Sequence, residues 1–118
     1  MTADELTDAF EAGEIDGADF PHESHLRVAR TLTRRYGREE ALNRLRSGLQ
    51  DIARRAGRPE VYHETITRAW LELVATLDDL DRHSELLDRR LLDRFYSREA
   101  LESGREQWVE PDLRPLRL

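Results

Sequence analysis

The chain has 118 residues, one ordinary domain's worth, and its 19 basic residues against 25 acidic ones leave a net charge of −6. That balance argues against non-specific nucleic-acid binding, which needs a concentrated positive field. Absence of cysteine excludes disulfides, thiolate nucleophiles, Cys-type zinc sites and iron–sulfur clusters. No apolar run approaches the roughly 18–20 residues that cross a bilayer. The acidic opening lacks the basic-then-apolar order of a secretory signal, so a soluble, cytoplasmic domain is expected.

In chain order, Thr2 with Glu5 three residues on predicts a capping box and a short helix carrying Leu6, Ala9 and Phe10, stopped by Gly13. Glu14 to Pro21 is expected as loop. Pro21 suits a first helical turn and disfavours helix at Phe20, so a second helix is predicted from about Pro21 to Tyr36, ended by Gly37. Its apolar stripe is His25, Val28, Ala29, Leu32 and Tyr36. Glu39 opens a third helix to about Ala56, with Ala41, Leu42, Leu45, Leu49, Ile52, Ala53 and Ala56 inward.

A single helix is predicted from Pro59 or Glu60 to Leu77, burying Tyr62, Ile66, Ala69, Trp70, Leu73, Val74 and Leu77. Ser84 is read as the cap of a fourth segment carrying Leu86, Leu87, Leu91 and Leu92. Ser97 is read as the cap of a short fifth, with Ala100 and Leu101. WVEPDLRPLRL closes the chain as an extended tail. No stretch alternates as a strand does. The expectation is an all-α, single-domain bundle of about four to five helices: an acidic helix and loop at 1–19, the bundle at 20–107 and the Pro-containing tail at 108–118.

Chemistry-bearing residues concentrate in two runs, FPHESHL and YHETIT. His22, His25, Ala29, Leu32 and Tyr36 form one helical seam; His63, Thr67, Trp70, Val74 and Leu77 form another. In an up-down-up arrangement the two N-terminal ends share one end of the bundle, and His22, His25 and His63 converge there. Three imidazoles suit an open divalent-metal site of zinc, iron or manganese. Glu64 or Glu23 would then orient a ligand or move a proton, and Tyr62, Thr65 and Thr67 would line the pocket. Against this, His25 and His63 also fit core positions satisfied by Thr67, Tyr62 or a backbone carbonyl. Neither HExxH nor paired ExxH motifs are present. Buried or ligating imidazoles must stay neutral, so weakening near pH 6 is expected.

The runs FPHESHLRVA at Phe20–Ala29 and YHETIT at Tyr62–Thr67 resemble those of a group of short uncharacterised bacterial helical proteins sharing F-x-H-x-x-H-L-R-x-A and Y-H-E-T-I-T. LLDRFYS at Leu91–Ser97 and WVEPDL at Trp108–Leu113 are similar to the group's closing segments. The resemblance spans roughly 20 to 113 and implies a shared helical domain, with His22, His25, Tyr62, His63 and Thr65 carried forward as its site. Two functions compete at this point. One is a metal or small-molecule site at the bundle end, catalytic or not. The other is a non-catalytic interaction module with structural histidines, its Trp108–Leu118 tail facing a protein partner or a second copy.

Overall fold

Gly37 is the only residue between two long helices, and its φ of +81° and ψ of 169° lie in a region essentially reserved for glycine. So short a connection folds the second helix back on the first. The computed structural model describes residues 1–118 and has helices α1 (Ala3–Glu11), α2 (His22–Tyr36), α3 (Arg38–Arg55), α4 (Glu64–Ala75) and α5 (Arg98–Ser103). Five 3₁₀ segments join them, at Gly17–Asp19, Pro59–Val61, Leu80–Arg82, Ser84–Leu87 and Arg89–Arg94. The all-α bundle is as the periodicity predicts. The radius of gyration, 13.6 Å, is close to the roughly 13.5 Å of a compact domain this long. No helix is long and apolar enough to cross a membrane.

The Thr2 capping box forms, with Thr2 Oγ1 accepting from the Glu5 N–H and Glu5 Oε1 from the Thr2 N–H. Ser97 caps α5 through the Ala100 N–H. Leu26, Val28, Ala29 and Leu32 of α2 meet Ala41 and Leu45 of α3 and the buried face of α4 in one core. Tyr36, expected inward, is 37% exposed. It lies at the helix end beneath the Arg44 guanidinium, 3.9 Å from the ring centroid, and its hydroxyl donates to Glu11.

Two predicted helices are corrected. The span from Pro59 to Leu77 is not one helix: a 3₁₀ turn ends at Val61, and α4 starts only at Glu64. His63 breaks it by adopting extended φ and ψ (−136°, 113°) and capping α4, its Nδ1 accepting from the Ile66 N–H. The fourth segment is two 3₁₀ stretches, Ser84–Leu87 and Arg89–Arg94, preceded by a third at Leu80–Arg82, and Ser84 caps nothing. Here Asp79 and Asp88 accept from the N–H groups two residues on, local bonds that compete with helix propagation.

The C-terminal segment is tied to the body. Carbonyls of Arg105 and Gly104 accept from the Glu64 and Thr65 N–H groups, and Phe95 O accepts from the Leu113 N–H. Tyr96 donates its hydroxyl to Val109 O. Two unpaired amides at the start of α4 thereby find acceptors in the tail.

A cavity at the end of the bundle

The start of α2, the end of α3 and the start of α4 border one cavity, which sets α2 and α4 parallel and in direct contact, with α3 antiparallel to both. Its volume is about 560 Å³, and thirteen of its twenty-one lining residues are apolar. Ala29, Leu45, Leu49, Ile52, Ala53, Ile66 and Trp70 form the interior; exposed Ala56, Arg58, Val61, Arg89 and Asp93 mark the mouth. Alanines on two of the helices leave space that larger side chains would fill. Its size and lining fall within the range of pockets that hold small molecules.

All three imidazoles line it, as the up-down-up arrangement predicts. His22 meets the Trp70 ring edge-on at 4.5 Å between centroids, and His25 stacks on Phe20 at 4.3 Å. Each ring donates from Nε2 to a backbone carbonyl: His22 to Leu86 at 2.8 Å, His25 to Phe20 at 3.1 Å and His63 to Leu101 at 2.7 Å. A carbonyl has no proton to give, so every Nε2 carries the hydrogen and every neutral Nδ1 a lone pair. His63 spends that lone pair on the Ile66 N–H at 3.1 Å. The Nδ1 atoms of His22 and His25 have no partner in the protein. Since no buried side-chain nitrogen or oxygen is left unpaired, solvent reaches both.

Electrostatics keep the rings neutral. Burial pushes His25 from 6.5 down to about 4, and the neighbouring His22 and Arg89 act in the same direction against the Phe20 hydrogen bond. Burial also lowers His22, opposed by the Leu86 carbonyl and helped by Arg89. It lowers His63 too, with Arg105 adding to the effect.

No group of three or more His, Asp or Glu side chains is arranged to hold a metal ion. The expected three-imidazole centre with zinc, iron or manganese is thus not assembled: His63 has both nitrogens engaged. The two carboxylates proposed from sequence lie elsewhere. Glu64 receives Arg46 Nε at 2.8 Å, Arg46 Nη2 at 2.6 Å and the Tyr62 hydroxyl at 2.7 Å. Arg46 holds its carboxyl below the usual range, and it faces a separate polar groove. Exposed Glu23 pairs with Arg27 at 2.9 Å. Neither reaches the cavity.

No protein-family model, curated protein or solved structure matches the chain.

Of the pocket residues expected from sequence, Tyr62 and Thr67 do line the cavity. Thr67 Oγ1 is committed to the His63 carbonyl at 2.7 Å. Thr65 is turned away: it donates to Gln107 O at 3.0 Å and accepts from the Val109 N–H at 3.1 Å, stapling the tail. Sequence reasoning missed Arg58, Arg89 and Asp93. They belong to segments predicted as helix or turn, and no pattern in RRLLDR distinguishes Arg89 from its exposed neighbour Arg90.

Proposed function

We propose that the protein binds a small amphipathic molecule, with an apolar body inside the bundle end and a polar head among His22, His25 and the residues at the mouth. One observation carries this reading. An apolar cavity of about 560 Å³ contains two imidazoles whose orientation is fixed at Nε2 and whose Nδ1 acceptors are unclaimed by the protein. Side chains packed for stability alone would close such a volume. A metal centre is not part of the proposal, since His63 has no free nitrogen to contribute. The tail's bonds to α4 and to Phe95 and Tyr96 speak for a bracing segment, not a partner-facing one. Kinship with the group of short bacterial proteins is proposed on the FPHESHLRVA and YHETIT runs.

The test uses 1-octanol, titrated into ¹⁵N-labelled protein. Amides of Ala29, Ala53 and Ile66 and the Trp70 indole N–H should shift together and saturate. Ala53→Leu should abolish the shifts while raising the melting temperature, because it fills the void. Absence of saturable shifts at these positions, or an unchanged response in the filled variant, refutes the reading.

A further inference from the structure

The mouth of the cavity is charged unevenly. Of the three charged residues that line it, Arg58 and Arg89 are cationic and Asp93 is anionic. The Arg89 side chain makes no ion pair and no hydrogen bond, although acids exceed bases by six in this chain. Its neighbour Arg90 lies 3.5 Å from Asp88. Arg58 has only Glu60, 3.8 Å away and exposed. A guanidinium left unpaired at the rim of an apolar pocket in an acidic protein is well placed to accept a planar anion through two parallel N–H bonds.

Asp93 is also unpaired, but two guanidiniums against one carboxylate leave the mouth net cationic. Burial lowers both His22 and His25, and Arg89 adds to it in the same direction. Burial lowers His63 as well, with Arg105 adding to the effect.

We infer that the ligand is an amphipathic carboxylate whose head group pairs with Arg89 at the cavity mouth while its hydrocarbon body occupies the interior between α2, α3 and α4. This rests on the small-molecule reading above and adds the chemical class. A carboxylate suits the site better than a phosphate, because the one wholly unpaired guanidinium, Arg89, matches a single planar charge and most of the remaining lining is apolar.

Three probes of equal length separate the ideas: octanoate, 1-octanol and octylammonium, titrated at pH 7.5 in low salt. Octanoate should bind at least tenfold tighter than octanol, and octylammonium most weakly. Arg89→Gln should remove the octanoate advantage, bringing the ratio of octanoate to octanol affinity to about one. Asp93→Asn should strengthen octanoate slightly. Raising the salt should shrink the octanoate preference, since an exposed pair is screened. If octanol and octanoate bind alike, or octylammonium binds best, the carboxylate assignment is overturned while the cavity reading stands. If none of the three binds saturably, both fail. Should Arg89→Gln lower the melting temperature, its ratio of octanoate to octanol affinity still decides, because loss of fold reduces both equally.

Discussion

Acidification below pH 6.5 should weaken this fold, and His25 sets most of the effect. In the folded state its imidazole is pushed from 6.5 to about 4, so between these values the unfolded chain binds a proton that the folded chain does not. Stability contributed by the neutral ring is complete above 6.5 and is lost as the pH falls through that value towards 4. Each tenfold difference in proton affinity between the two states is worth about 1.4 kcal/mol, so the whole window is worth about 3 kcal/mol and the step from pH 7 to pH 5 about 2 kcal/mol. His22 and His63 are lowered too and act with the same sign. Glu64, held below its ordinary 4.5 by Arg46, contributes stability that is lost only beneath that value, so pH 5 lies outside its window.

Urea unfolding followed by circular dichroism at pH 7.0 and pH 5.0 measures the difference. Two variants isolate His25. His25→Phe keeps a ring against Phe20 and cannot titrate; His25→Gln keeps a donor for the Phe20 carbonyl and cannot titrate. Both should flatten the pH dependence by about 2 kcal/mol, whatever their stability at pH 7. A wild type equally stable at both values would refute the reasoning. So would an undiminished pH dependence in both variants, which would place the proton elsewhere.

Other substitutions test the packing. Gly48→Ala in the middle of α3 would gain up to about 1 kcal/mol on helix propensity alone. The added Cβ would collide with the Phe10 ring, so a net loss of about 1–3 kcal/mol is expected by thermal melting; a raised melting temperature would show that α1 shifts freely. His63→Ala removes both the cap of α4 and the partner of Leu101 O and should cost about 2 kcal/mol in urea titration, with His63→Asn recovering roughly half because Asn is a good N-cap. Equal losses in the two variants would deny the capping role. Glu64→Gln breaks the charge pair with Arg46 at a mostly buried site, a loss of about 1–3 kcal/mol. It should leave octanol binding untouched, and a changed octanol affinity would mean that the polar groove and the cavity are coupled.

Much of the bundle was legible because α2 and α3 announce themselves by period and by glycine punctuation. The Thr2–Glu5 and Ser97 caps follow from residue type and spacing alone. The convergence of His22, His25 and His63 was legible for the same reason, since a short turn at Gly37 and another near Gly57 leave few arrangements for three helices. What the sequence hid depends on single side chains in unusual service. Histidine is not a typical N-cap, so the break before Glu64 carried no signal. The pattern of leucines from Leu86 to Leu92 fits an α-helix, yet local bonds from Asp79 and Asp88 hold the chain in 3₁₀ turns. Those turns decide where Arg89 sits.

The imidazoles show why residue type and position were insufficient to assign a role. All three rings lie near helix starts, and all three anchor a backbone carbonyl outside their own helix through Nε2. Their difference lies in the other nitrogen. His63 precedes its helix and turns Nδ1 back to a free amide of the first turn, so it is fully consumed by structure. His22 and His25 lie within α2, and their Nδ1 atoms accept from no backbone amide. A short step along a helix thus separates a capping histidine from two whose Nδ1 atoms remain free to accept a hydrogen bond. The chemistry of the cavity accordingly belongs to α2 and the Arg89 turn, with α4 supplying its wall.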